Sequence, residues 1–130
     1  MSERFVVVAA VIECDGRFLV ARRLHGTHLG GLWEFPGGKV AADETHEAAL
    51  EREIAEEIGC RIVRMREIFR TSHAYSERTV DLHFYRGELQ GTPRPLLHQE
   101  LRWITRQEFA SLDFPPADEQ LISGLIDEGL

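Results

Sequence analysis

The sequence predicts a single α/β domain in which a mixed β-sheet lies between helices. Segments rich in valine and isoleucine, bounded by glycine and proline turns, are typical of strands. Other segments carry apolar residues every three or four positions, which is typical of helices packed on a core. A chain of 130 residues suffices for one such domain, and we assign residues 1–130 to it.

The N-terminal part predicts a hairpin of strands. Residues 4–13 are rich in valine and predict a strand buried on both faces. Asp15-Gly16 is a hairpin turn signal, and the chain returns through residues 17–24. Three short segments follow: a glycine-rich loop over residues 25–31, an apolar strand over residues 32–35, and Pro36-Gly37-Gly38, which ends that strand.

The next segment predicts a helix with both ends marked. Thr45 is a candidate N-cap, and Glu47 lies in the first turn, where the helix dipole favours an acid. Apolar residues recur every four positions from Leu50 to Ile58 and predict the buried stripe. Gly59 is the expected C-cap.

The C-terminal half predicts three strands and two short helices. We expect a strand within residues 61–75, a turn at 76–78 and a second strand over 79–89. A loop bounded by Pro93 and Pro95 leads to a third strand over 101–104, and a capping box from Thr105 to Glu108 opens a short helix. After Pro115-Pro116 we expect a helix that buries Leu121, Ile122, Leu125 and Ile126. Trp33 and Trp103 are expected in the core.

Three acids of the central helix carry the main functional signal. Glu53, Glu56 and Glu57 are three and four positions apart, so in a helix they project on one side. Such a like-charged group is either solvated or held together by a hard cation such as Mg2+. Glu47 and Glu51 are expected to be ordinary surface residues.

The same segment resembles the Nudix box, Gx5Ex7REUxEExGU, where U is aliphatic. The matching positions are Gly38, Glu44, Arg52, Glu53, Ile54, Glu56, Glu57 and Gly59. Cys60 stands at the last aliphatic position, which a small apolar thiol can fill. The resemblance implies an α/β/α Nudix sandwich and a hydrolase.

The resemblance also implies a division of roles within the box. Metal ligands are expected from Glu53, Glu56 and Glu57 and from the backbone carbonyls of Gly37 and Gly38, with Mg2+ as the ion and Mn2+ as a substitute. Glu53 is the expected general base and Arg52 the residue that orients it. Glu44 is expected to support the site.

Beyond the box, the chain resembles MutT-type nucleoside triphosphate pyrophosphohydrolases. The similarity rests on Arg23, the segment Trp33 to Lys39, Arg78 and the segment Asp113 to Asp118. It implies cleavage of a (deoxy)nucleoside triphosphate to the monophosphate and pyrophosphate, in nucleotide-pool sanitation. The expected substrate contacts are Arg23, Phe35, Arg78 and Asp118. The alternatives are that Arg23 is a surface charge, Phe35 a core aromatic and Arg78 a charge in a turn.

Two positions depart from the MutT prototype. Asp118 replaces an asparagine that reads the base in the prototype. An ionised carboxylate only accepts hydrogen bonds, which suits the amino group of cytosine or the N1/N2 edge of guanine. A protonated carboxyl can also donate, which suits an oxidised purine such as that of 8-oxo-dGTP. Leu97 replaces a glutamate that serves many relatives as metal ligand or base. Glu100 could substitute for that glutamate, and this stays open, as does the preferred base and sugar.

Composition excludes several other classes. The formal charge of −7 argues against a protein that binds nucleic-acid polymers. Two cysteines predict neither a disulfide framework nor a cysteine metal site, and no segment predicts a signal peptide or membrane span, so a cytoplasmic protein is expected. His25, His28, His73, His83 and His98 lack metal-site spacing.

Two alternative functions remain open. One is a Nudix hydrolase of another nucleoside diphosphate derivative, such as a nucleotide sugar or dinucleoside polyphosphate. The other is a non-catalytic nucleotide-binding protein on the same fold, because a fold alone does not determine function. The oligomeric state is not readable from the sequence.

Overall fold

The structure is a computed structural model that describes residues 3–23 and 31–130. The elements, in chain order, are β1 (Glu3–Val11), β2 (Glu13–Cys14), β3 (Arg17–Arg22), β4 (Trp33–Glu34), β5 (Gly37–Lys39), α1 (His46–Ile58), β6 (Arg61–Ala74), β7 (Arg78–Gln90), β8 (Glu100–Ile104), the 3₁₀ turns Gln107–Ser111 and Pro116–Asp118, and α2 (Glu119–Ile126).

Two sheets form the centre of the fold. The first is mixed, in the order β5-β1-β7-β6, with β1 and β7 parallel and the other neighbours antiparallel. In the second, β3 pairs antiparallel with β2, β4 and β8. The β2–β3 turn has positive φ at Asp15 and Gly16, which matches the twist of a two-residue hairpin.

Side chains of β1 alternate between two hydrophobic clusters, one on each side of the mixed sheet. Val8, Ala10 and Ile12 pack with the apolar stripe of α1. Ala9 and Val11 pack with the aromatic cluster beneath α2. The predicted sheet between two helices is therefore confirmed, and so is the strand buried on both faces.

The main departures from the predicted elements are local. Gly37–Lys39 does not simply end a strand but forms β5, which pairs with β1. The capping box at Thr105 is present, but it opens a 3₁₀ turn. In α2, Leu121 and Leu125 are buried, whereas Ile126 is 39% exposed. The predicted loop over residues 25–31 lies mostly outside the described residues.

None of the helices in the described part of the chain is long and apolar enough to span a membrane.

Candidate active site

The central helix α1 is held at both ends by the residues that the sequence predicts. The Thr45 side chain accepts a hydrogen bond from the Ala48 amide at 3.1 Å, and Gly59 adopts a left-handed conformation with φ of 70°. Leu50, Ile54 and Ile58 are fully or almost fully buried. Because this stripe faces the mixed sheet, the neighbouring acids of α1 are directed toward the segment around β5.

Gly38 allows the backbone of β5 to come close to Glu53. A β-carbon built on Gly38 would lie 2.4 Å from Cδ of Glu53, well inside contact distance. At Gly37 it would lie 2.0 Å from the carbonyl oxygen of Val8 on β1. The two glycines are therefore needed for close approach.

Arg52 binds two glutamates and the end of strand β5. Its Nε and Nη2 donate to the two oxygens of Glu44 at 2.8 and 2.9 Å, and Nη1 donates to Glu53 Oε1 at 2.8 Å. Nη2 also donates to the Lys39 carbonyl at 3.0 Å. The Arg52 hydrogen bonds, followed by one from the Ala41 amide, lower the pKa of Glu44 to about 2. Arg52 thus holds the Glu53 carboxylate in one orientation.

Glu57 interacts with two other carboxylates, Glu53 on the same helix and Glu34 on β4. Burial, followed by a hydrogen bond that the protonated Glu57 donates to Glu53 and by the charges of Glu53 and Glu34, raises the pKa of Glu57 to about 9. Burial also raises the pKa of Glu34, on β4, to about 7 against the effect of Arg23. Glu57 therefore keeps its proton near neutral pH, which avoids a second negative charge beside Glu53.

Glu56 stands apart from this group. Its side chain is 58% exposed and lies 3.6 Å from Arg52. Within residues 3–23 and 31–130, no three His, Cys, Asp or Glu side chains are arranged to hold a metal ion as they stand. The donor chemistry of Glu53, Glu57 and the β5 backbone nevertheless suits a hard divalent cation, which would replace the proton on Glu57.

A second group of predicted residues surrounds Asp118. Asp118 is only 6% exposed, and burial followed by the charge of Glu34 raises its pKa to about 7. Burial, followed by the charge of Asp118, raises the pKa of Tyr75, whereas the charge of Arg78 lowers it. Tyr75, Arg78 and Asp118 are therefore close neighbours. The charge of Glu34 acts on both Asp118 and Glu57, so it links this group to the glutamates of α1.

The other predicted contacts occupy different surroundings. Arg23 pairs with Glu34 at 3.4 Å and is 40% exposed. Phe35 is 5% exposed, and its ring lies 5.7–5.9 Å from those of Phe84, Phe109 and Phe114. Phe35 is thus part of the aromatic core, next to the segment that carries Asp118.

The alternative acid Glu100 is occupied elsewhere. It pairs with Arg22 at 2.5 Å and with Arg102 at 3.5 Å. Leu97, at the place where relatives carry a glutamate, is 52% exposed. Glu100 therefore contributes no carboxylate to the group around Glu53, and the leucine at position 97 has none to offer.

Comparisons with known proteins identify the family of this chain. The family model described as the NUDIX domain matches residues 7–124. The chain belongs to the Nudix family. Among relatives of this Nudix protein, the CTP pyrophosphohydrolase of Escherichia coli K12 is 36% identical over 121 residues, covering 92% of this chain and 90% of the relative. The 8-oxo-dGTP diphosphatase of Haemophilus influenzae is 35% identical over 131 residues, covering 98% and 96%.

Solved structures give the same result. The solution structure of the E. coli ORF135 protein has a TM-score of 0.85 at 35% identity and covers 97% of this chain and 91% of that one. The solution structure of MutT from a methicillin-resistant Staphylococcus aureus has a TM-score of 0.80 at 34% identity, covering 98% and 99%. The protein is therefore a MutT-like Nudix hydrolase, of a family that generally uses divalent cations.

Glu34 joins the candidate site although its sequence position carries no assigned role. It lies within the Trp33 to Lys39 segment, but its interaction with both Glu57 and Asp118 depends on where the fold places β4. An acid within a short apolar strand, directly before Phe-Pro-Gly-Gly, is the only local sign of it.

Proposed function

We propose that this Nudix hydrolase cleaves (deoxy)nucleoside triphosphates to the monophosphate and pyrophosphate with Mg2+, for which Mn2+ can substitute. The observation that supports this most strongly is the convergence of Glu53 and Glu57 beside Gly38, with Arg52 bound to Glu53. Glu53, Glu57 and the carbonyls of Gly37 and Gly38 would hold the ion. Glu56, whose side chain is 58% exposed, is the third carboxylate proposed as a ligand.

When bound, the ion would neutralise charge on the phosphate oxygens and lower the pKa of a coordinated water. Glu53 accepts the proton of the attacking water, while Arg52 keeps its carboxylate oriented. The water oxygen bonds to the β-phosphorus, and the bond from that phosphorus to the α–β bridging oxygen breaks. That oxygen leaves with the nucleoside monophosphate, and the β- and γ-phosphates leave as pyrophosphate.

Arg23, Arg78 and Asp118 would contact the rest of the nucleotide. The two arginines suit phosphate or sugar oxygens, and the buried Asp118 suits a base edge. With a pKa of about 7, its carboxyl is present in both forms near neutral pH. The protonated form suits an oxidised purine, and the ionised form suits the amino group of cytosine. Phe35 supports the segment that carries Asp118 through its contact with Phe114.

A panel of nucleotides tests this proposal. Pyrophosphate release would be measured from dCTP, 5-methyl-dCTP, dGTP and 8-oxo-dGTP, with Mg2+ and with EDTA. We expect release only with the divalent ion. The proposed activity would be contradicted if none of the four triphosphates released pyrophosphate, or if EDTA left the release unchanged.

The pH dependence of selectivity tests the role of Asp118. From about pH 6 to about pH 8, the protonated fraction of a group with pKa 7 falls about tenfold. We therefore expect the ratio of kcat/KM for 8-oxo-dGTP to that for dCTP to fall with rising pH in the wild type. Asp118→Asn should remove this dependence, and Asp113→Asn, at an exposed position, should retain it. A flat wild-type profile would exclude the proposed role.

A further inference from the structure

The last turn of α1 is closed by the loop that precedes β8. The final carbonyls of an α-helix have no partner within the helix. Here the Ile58 carbonyl accepts from the Arg94 amide at 2.9 Å. The Glu57 carbonyl accepts two hydrogen bonds, from the Leu96 amide at 3.1 Å and from Nε2 of Gln99 at 2.9 Å.

Gln99 uses both ends of its amide in this closure. While Nε2 donates to the Glu57 carbonyl, Oε1 accepts from the Leu97 amide at 2.9 Å. His98, next to it, has a positive φ of 58°, and its amide donates to the Pro95 carbonyl at 3.1 Å. The Gln99 side chain therefore reinforces, with one bond to α1 and one within the loop, the backbone bonds that join the end of α1 to this tightly turned loop.

This contact also joins two parts of the fold that meet at the site. Gln99 directly precedes β8, which pairs with β3, and β3 pairs with β4. Glu57 belongs to the helix on the mixed sheet, whereas Glu34 belongs to β4 of the second sheet. The bond from Gln99 to the Glu57 carbonyl is thus a direct polar link between the backbone of a proposed metal ligand and the sheet that carries Glu34.

We propose that Gln99 is a positioning residue for the divalent cation, acting through the backbone of Glu57. This inference rests on the proposed function, because it assumes that Glu57 binds the ion. Loss of the amide leaves the Leu96 amide as the remaining donor to the Glu57 carbonyl and removes the bond from the Leu97 amide, so the Glu57 backbone and its carboxylate are held less firmly. Removing such supporting partners typically weakens metal binding about 10–100-fold.

The test measures binding of Mn2+ alone, by the electron paramagnetic resonance signal of the free ion. Gln99→Met keeps the length of the side chain but has no amide. Gln99→Glu keeps the acceptor for Leu97 but cannot donate to Glu57. We expect both to raise the Kd for Mn2+ about tenfold or more, with melting temperatures close to that of the wild type. Gln107→Met, at an exposed position on the first 3₁₀ turn, should bind Mn2+ like the wild type.

Glu57→Gln separates the two levels of the proposal. If it weakens Mn2+ binding while the Gln99 variants stay within about twofold of the wild type, Gln99 has no positioning role and the proposed function stands. If Glu57→Gln itself binds Mn2+ normally, the metal role of Glu57 is wrong and the inference falls with it. Should Gln99→Met fail to fold, Gln99→Asn replaces it, because its side chain is too short to contact both partners; unchanged Mn2+ binding would likewise overturn the inference.

Discussion

At the scale of single residues, Arg52 determines how the acids of α1 are used. Its guanidinium holds Glu44 through two hydrogen bonds and Glu53 through one. A lysine could not reproduce this geometry, because it offers a point charge rather than a planar fork. Glu53 is thereby fixed toward Gly38, while Glu56 remains exposed. Neighbouring glutamates of one helix thus acquire different surroundings, and we expect them to have different roles.

The assignment of Glu53 as the base gives a direct prediction. Glu53→Gln should reduce kcat by about 10²–10⁴-fold, because an amide cannot accept the proton of the attacking water. Glu100→Gln should change kcat little, since Glu100 pairs with Arg22 and Arg102. The rate of pyrophosphate release at saturating Mg2+ measures both. Comparable losses in the two variants would show that Glu53 is not the sole base.

At the scale of elements, the sequence predicted best those helices and strands whose ends and buried faces are marked by residues within the element itself. The α1 helix carries an N-cap, an apolar stripe and a C-cap glycine, and all three are confirmed. Strand β5 was missed because it is rich in glycine and gains its structure only by pairing with β1. The poor alternation of β6 has a physical cause, since register shifts occur between Val63 and Arg66 and between Glu67 and Phe69.

The same distinction applies to the candidate site. Arg52, Glu53 and Glu57 belong to one contiguous motif, so spacing alone places them near one another. Glu34 and Gln99 approach them only through the packing of β4 and of the β7–β8 loop. Neither approach has a periodic signal along the chain.

The N-cap of α1 gives a prediction that separates stability from catalysis. Thr45→Ala removes the acceptor for the Ala48 amide and should lower the free energy of unfolding by about 1 kcal/mol. Because Thr45 lies at the opposite end of α1 from Glu57, kcat should stay close to the wild-type value. Urea unfolding and pyrophosphate release check the two parts. The matched control is Thr92→Ala, at an exposed loop position, which should alter neither; an equal loss of stability there would rule out a capping effect.

At the scale of the whole molecule, the fold places several acids together in a chain with a net charge of −7. The α1 helix supplies Glu53 and Glu57, the second sheet supplies Glu34, and the C-terminal segment supplies Asp118. Packing these elements therefore partly desolvates carboxyls that would otherwise be charged. Without a cation, the protein relieves this by keeping some of them protonated, so its stability is linked to pH.

The sign of that linkage follows from the raised pKa values. Asp118 and Glu34 have a pKa of about 7 and Glu57 of about 9 in the folded protein, against ordinary values of 3.8 and 4.5. Above about pH 4.5 the unfolded chain releases these protons while the folded chain retains them. Without divalent ions, stability should therefore fall as pH rises from about 5 to about 9.

Divalent cations should oppose this loss, which gives a prediction for the intact protein. Because a bound ion replaces the proton on Glu57, Mg2+ should raise the melting temperature more at about pH 9 than at about pH 5. Differential scanning calorimetry with EDTA and with Mg2+ measures both series. In Glu57→Gln, Mg2+ should raise the melting temperature less than in the wild type. In Asp118→Asn, the melting temperature in EDTA should fall less steeply between about pH 5 and pH 7. A melting temperature in EDTA that rises between pH 5 and 9 would show that these carboxyls are not protonated in the folded state, and the site would then have to balance its charge in another way.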